Sequence, residues 1–262
     1  MKKFLACILA LALALLTFSS CGLSGSGDTD NETLEFELLK DGTYGVRAKE
    51  KSDPVSVVIP ESYKGKAVSE ILSGAFERCT SLTDVTIPSS ITRIGNSAFY
   101  FCTSLSNITI PDSVTSIGDK AFSVCSKLGE ITVPNSVTSI GTAAFRDCSS
   151  MTAITLSNGI TTIRDYTFQG CSGLTDITVP DGVKIIESYA FNTCTDLTEI
   201  ALPSSVISIG DLAFSGCTGL KTIQFNGTIA QWNEINKTSW FKYSTGNFNV
   251  QCTDASIAKE SA

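Results

Sequence analysis

The chain of 262 residues carries ten cysteines and no histidine. A thiol can pair as a disulfide, ligate a metal ion or act as a nucleophile. With no imidazole in the chain, Cys-His and Ser-His-Asp nucleophilic sites and His-ligated zinc are excluded. A histidine switch near neutral pH is excluded for the same reason. Carboxylates such as Glu61 and Glu70 are scattered, and their spacing supports no acid–base pair. There is no phosphate-binding glycine loop, no Cys-x-x-Cys and no Asp-x-Asp-x-Asp-Gly calcium loop. The residues therefore point away from an enzyme, and no cofactor or metal is expected. With 26 acidic against 19 basic residues the net charge is −7. Nucleic acid is not an expected partner, because affinity for phosphate needs clustered Lys and Arg.

The spacing of the cysteines is the main signal. Cys79, Cys102, Cys125, Cys148, Cys171, Cys194 and Cys217 are each 23 residues apart. Phe76, Phe99, Phe122, Phe145, Phe168, Phe191 and Phe214 keep the same step, and Ala precedes all but Phe168. Further columns run in phase. Leu (or Met151) stands three residues after each Cys, followed by an apolar pair such as Val85 and Ile87. Pro88, Pro111, Pro134, Pro180 and Pro203 follow, then pairs such as Ile91 and Ile94, then Gly95, Gly118, Gly141 and Gly210. A period of this length marks a solenoid, in which each unit buries its apolar side only against the next.

Three elements position these columns within one unit. Asp84-Val85-Thr86-Ile87 alternates with period two and reads as a short strand. Proline ends it, having no N–H to continue a ladder. The Ile91-x-x-Ile94-Gly95 stretch reads as a second extended segment on the opposite wall. Ser-Ala-Phe-x-x-Cys is too short for an isolated helix and reads as a helical or 3₁₀ turn. Coils stacked at strand spacing, about 4.8 Å, would align the phenylalanines as a spine over roughly 34 Å. Gly marks a site that is strained or crowded, although Arg164 and Glu187 also occupy that column.

This geometry sorts the uses of the thiols. Export favours disulfides, yet stacked side chains point one way and seven cannot all pair. A single column cannot enclose a tetrahedral ion. Buried free thiols packing as small hydrophobes is the favoured reading. Cys252 lies outside the column and has no assignment from sequence.

The unit Leu-x-x-Ile-x-Ile-Pro-x-x-Val-x-x-Ile-Gly-x-x-Ala-Phe-x-x-Cys resembles the 23-residue leucine-rich repeat of BspA-like (Treponema pallidum type) surface proteins, over about residues 55 to 225. The expected fold is a leucine-rich-repeat solenoid, a β-rich right-handed coil with short helical or 3₁₀ turns, capped at both ends. The N-terminal cap and irregular first repeat span 34–70, with Asp41-Gly42 as a hairpin turn. The 23-residue repeats span 71–225, and the C-terminal cap and tail 226–262. The resemblance implies a cell-surface protein associated with adhesion.

Residues 1–20 read as an export signal: Met1-Lys2-Lys3, an apolar run from Phe4 to Phe18, then small residues. Cys21 resembles the lipid-bearing cysteine of a bacterial lipobox, although Phe18 stands where Leu is preferred. Lipidation there would anchor the chain to a membrane on the extracytoplasmic side of a bacterial cell. Residues 21–33, rich in Gly, Ser and Asp, read as a flexible tether.

The outward residues of the strands form the natural binding surface. One column is Asp84, Asn107, Glu130, Ala153, Asp176, Glu199 and Thr222; its neighbour is Thr86, Thr109, Thr132, Thr155 and Thr178. The first reading is a monomer that binds an extracellular protein, such as a host or matrix protein, through Asp84, Asn107, Glu130, Asp176, Glu199, Thr109 and Thr132. The alternative is a carbohydrate-binding lipoprotein that captures nutrients, with the same face and an aromatic platform of Trp232, Trp240, Phe241 and Tyr243 stacking on sugar. Against that platform stands a purely hydrophobic end cap. The same Thr and acidic columns would also arise simply from strand propensity and solubility.

Overall fold

A computed structural model describes residues 33–49, 53–237, 239–241 and 245–258. The export signal, Cys21 and all of the tether but Thr33 lie outside the described residues.

The chain winds as a β-solenoid whose coils repeat every 23 residues, and two walls of very short parallel strands run along it. One wall begins with the antiparallel hairpin Leu34–Leu38 and Tyr44–Ala48. It continues in parallel through Lys66–Ile71, Arg93–Ile94, Ser116–Ile117 and Ser139–Ile140. After a break it resumes as Thr162–Ile163, Ile185–Ile186 and Ser208–Ile209. The other wall holds the predicted Ile-x-Ile strands, among them Asp84–Thr86, Glu130–Thr132, Ala153–Thr155, Asp176–Thr178 and Glu199–Leu202. Asn107–Thr109 lies in the same column but makes no formal ladder.

Between the walls runs the spine. All seven phenylalanines are fully buried. Their rings stack nearly parallel with centroids 5.3–5.8 Å apart. The stack ends on Trp240, which meets Phe214 edge-on at 5.7 Å and 89°. A perpendicular ring offers no parallel face for another coil, so the repeat stops there.

The corner that carries Ala-Phe-x-x-Cys is not wound as a continuous helix. Alternate N–H groups point to different coils. Those of Ser97, Phe99 and Phe101 donate to Asp119, Ala121 and Ser123 of the next coil at 2.7–2.9 Å. Those of Ala98, Tyr100 and Cys102 donate three residues back within their own coil. The alternation requires left-handed backbone at Ser97 (φ 54°) and Phe101 (φ 64°). Both positions recur at the 23-residue step, as Lys120, Ala143, Tyr166, Tyr189 and Leu212, and as Val124, Asp147, Gly170, Thr193 and Gly216. Each non-glycine there costs about 1–2 kcal/mol, offset by an inter-coil hydrogen bond.

The Gly95 column is different. None of its glycines is left-handed. A Cβ at Gly118 would sit 2.6 Å from the Asn96 nitrogen, and one at Gly141 2.4 Å from that of Asp119. Crowding against the preceding coil therefore selects glycine. The ladder of this wall is broken between Ile140 and Ile163, where Arg164 first replaces it.

Both ends are sealed. At the start, Tyr63 stacks on Phe36 (4.1 Å) and meets Tyr44 edge-on. At the end, Thr228 caps a short helix, Ile229–Glu234, through a capping box with Gln231. That helix buries Trp232 completely.

Candidate functional site

Strand alternation decides which side chains leave the core. In each of the strands Asp84–Thr86, Glu130–Thr132, Ala153–Thr155 and Asp176–Thr178 the central Val or Ile is buried and the two flanking residues are exposed. Parallel register then turns a sequence period into columns. Glu130 stands beside Ala153, Thr132 beside Thr155, and Asp176 beside Glu199.

Four coils of this wall line a groove of about 890 Å³. Asn107, Thr109, Glu130, Thr132 and Asp176 all line it, together with Thr155 and Thr178. Asp84 and Glu199 belong to the same column but lie beyond the ends of the groove. Sequence reasoning missed the rim, which adds Asp112, Asn135 and Asn158. Their signal was present as polar residues recurring just after the Pro position. The lining contains Asp112, Glu130 and Asp176 but no Lys or Arg.

The threonine hydroxyls of this face are unengaged, unlike those of the opposite wall, while at the rim the Asn158 N–H donates to Asn135 Oδ1 at 2.9 Å. On the opposite wall the hydroxyls of Thr92, Thr115 and Thr138 each donate to a carbonyl of the preceding coil. Ser126, Ser149, Ser172, Thr195 and Thr218 do the same along another edge. Among the described residues the hydroxyls of Thr109, Thr132, Thr155 and Thr178 have no protein partner. The ion pairs lie elsewhere: Arg47 with Glu35 and Glu37, Arg78 with Glu77, Arg93 with Glu70, and Arg146 with Asp147. Glu130 has none, and Asp176 only accepts a bond from the Thr175 hydroxyl.

The thiol column has no part in the groove. The seven repeat cysteines and Cys252 are free and buried. From Cys102 to Cys217 each Sγ donates at 3.0–3.2 Å to the carbonyl of the Phe 26 residues earlier. The thiol thus ties its coil to the preceding one as well as filling space. Burial pushes the Cys125 and Cys171 thiols up to about 12 and raises those of Cys102, Cys148 and Cys194. They are inert as nucleophiles at neutral pH. Among the described residues no group of three His, Cys, Asp or Glu is placed to hold a metal. Cys252 packs in the terminal cap, its N–H donating to the Ala255 carbonyl.

The aromatic platform does not exist as a surface. Trp232, Trp240 and Phe241 are 0%, 3% and 6% exposed and pack edge-to-face on one another and on Phe248. They are the hydrophobic plug of the last coil, with no ring face open to a sugar. Tyr243 lies outside the described residues.

The profile of the BspA type leucine-rich repeat region matches residues 55–172 and 116–246, with six copies in all. The chain belongs to this family. Among solved structures, this BspA-type protein is similar to a leucine-rich repeat protein from Bacteroides ovatus. They share 26% identity, with 87% of this chain and 77% of that one covered and a TM-score of 0.56. It is likewise similar to the leucine-rich repeat protein of T. pallidum, at 30% identity, 76% and 86% coverage and a TM-score of 0.55. The pneumococcal vaccine antigen PcpA shares the fold at 17% identity, 86% and 87% coverage and a TM-score of 0.51. Among curated proteins none matches. Membership of this repeat family suggests a role in protein interaction.

Proposed function

We propose that this BspA-type chain is a surface-tethered adhesion module that holds a basic patch of an extracellular protein in its strand-face groove. One observation carries the reading: the groove gathers carboxylates outside any ion pair and unengaged threonine hydroxyls, whereas the threonines of the opposite wall bond carbonyls of the preceding coil. A face whose polar groups are left for solvent can change partners without cost to the fold. Anchoring through lipid at Cys21 would hold the groove outside the cell, and the tether would give it reach. No chemical step is required of it.

The test is a panel of immobilised extracellular matrix proteins and glycans probed with the mature chain. Binding to a protein should weaken with salt, because exposed charges are screened. It should disappear when Asp84, Glu130, Asp176 and Glu199 are all changed to Lys. Undiminished capture by that variant would sink the proposal. Capture of glycans alone would favour nutrient binding instead.

A further inference from the structure

The two walls of the solenoid end unequally, and the inequality reverses from one end to the other. The first coil gives Ser56–Val58 to the groove wall and Lys66–Ile71 to the opposite wall. Before it, the opposite wall carries two more strands, Tyr44–Ala48 and Leu34–Leu38, and the groove wall carries none among the described residues. The last coil gives Thr222–Phe225 to the groove wall and Asn236, bridged to Ser208, to the opposite wall. After it, the groove wall carries two more strands, Asn249–Gln251 and Ser256–Ala258. The opposite wall carries none there among the described residues. We propose that the two ends fit each other, and that copies of this chain join head to tail in a lap joint.

The fit can be counted in strands. Let a second copy continue the axis of the first. The two-strand overhang of each then fills the two-strand step of the other, and both seams close together at the ordinary strand spacing of about 4.8 Å. On the groove wall Ser256–Ala258 meets Ser56–Val58 of the next copy. On the opposite wall Asn236 meets Leu34–Leu38 of the next copy. Unequal overhangs would leave one seam open. Direction agrees as well. Each overhang ends in a strand antiparallel to its neighbour, so both seams are antiparallel, the slightly more stable pairing. Register follows from the core. Val57 is buried, and Ile257 pairs with buried Val250, so both belong to the inward set. Setting them opposite each other places Val58 against Ser256 and Ser56 against Ala258, all on the outer face.

The joint also covers what the chain leaves open. Val58 and Val55, 69% and 62% exposed, are the most exposed large hydrophobic side chains among the described residues, and both sit at the one-sided strand. Phe36, Tyr44 and Ile257 of the overhangs pack on the core yet stay partly exposed. Neither Ser56–Val58 nor Ser256–Ala258 contains the charge or proline that usually guards an edge. The contact uses different surfaces of the two copies, so it propagates along the axis. Its groove-wall strands are only three residues long, which places it with weak interfaces of under about 1,200 Å². Such a joint fills where chains are crowded on a surface.

The test pairs new cysteines across the groove-wall seam, in the mature chain carrying Cys21→Ser. Val58→Cys and Ser256→Cys lie at opposite ends of one chain and meet only between copies. The repeat thiols and Cys252 are buried and stay out of the reaction. Under mild oxidation the double variant should give a ladder of dimers, trimers and longer species on a non-reducing gel. An equal mixture of the two single variants should stop at dimers, and each single variant alone should stay monomeric. In sedimentation the parent should gain mass as its concentration rises to about 1 mM. Val55→Lys with Val58→Lys should weaken that association at least tenfold at an unchanged melting temperature. Cross-linking of either single variant as efficient as that of the mixture would mean a symmetric contact and overturn the inference. So would a double variant without a ladder, a parent that stays monomeric throughout, or a lysine variant that associates like the parent.

Discussion

The thiol column makes the fold sensitive to alkali in a way that can be calculated. A free thiol ordinarily titrates near 9.0, and burial pushes Cys125 and Cys171 up to about 12. Cys102, Cys148 and Cys194, equally buried, move in the same direction. The folded state therefore keeps protons that the unfolded chain gives up above pH 9. Stability must fall as pH rises from there toward the folded values, and it is complete below. One pH unit above the unfolded value, each thiol costs about 1.4 kcal/mol. Cys125 and Cys171 together cost about 3 kcal/mol at pH 10, a large share of the 5–15 kcal/mol stability of an ordinary domain. Urea unfolding followed by circular dichroism at steps from pH 8 to pH 10.5 would measure the slope. Tyr and Lys also titrate in this range, so the decisive comparison is with Cys125→Ala/Cys171→Ala. Removing both thiols should make the slope above pH 9 shallower by up to about 2.7 kcal/mol per pH unit. An identical slope in the parent and the double variant would refute the burial of these thiols in free form.

Three other outcomes follow from the packing. Phe145 lies between Phe122 and Phe168, fully buried, so Phe145→Ala should cost about 3–5 kcal/mol by denaturant titration. Gly118→Ala forces a Cβ onto backbone at 2.6 Å and should cost about 1–3 kcal/mol. Gly129→Ala meets nothing nearer than 3.9 Å and should be neutral or stabilise by up to about 1 kcal/mol; thermal melts would rank the pair. Iodoacetamide should label Cys125 and Cys171 at pH 8 about a thousandfold more slowly in the folded chain than in urea, since their thiolate fraction falls tenfold per unit, and mass spectrometry would count the adducts.

Much of this architecture was readable from spacing. The 23-residue step of Cys, Phe and the Val/Ile pairs implied stacked coils, because one coil alone cannot bury its apolar side. Period-two alternation placed Asp84, Glu130 and Asp176 outward, with Thr86, Thr132 and Thr178 beside them. The left-handed corner was not readable. Its two columns hold mostly types that carry no left-handed signal, such as Ser97, Lys120, Tyr166, Phe101 and Val124, with glycine only at Gly170 and Gly216 among the later coils. Their conformation is imposed by hydrogen bonds to the next coil, a contact 22 residues away in the chain. The Gly95 column was legible as special, but strain and crowding leave the same mark on a sequence. Only the backbone of the preceding coil distinguishes them.

The terminal aromatics teach the same lesson. Trp232, Trp240 and Phe241 have the composition of a sugar platform and of a core plug alike. Whether a ring face meets solvent depends on what closes the last coil, and here the rings close it on one another. What the sequence determined by itself was periodicity: the fold family, the spine and the outward columns all follow from residues repeating in phase. What the tertiary structure decided was engagement, that is, which hydroxyls and carboxylates are used by neighbouring coils and which are left free. Thr115 and Thr109 are the same residue type in the same unit, yet one hydroxyl binds a carbonyl and the other faces the groove. That difference depends on distances between coils, and no single unit of the sequence contains them.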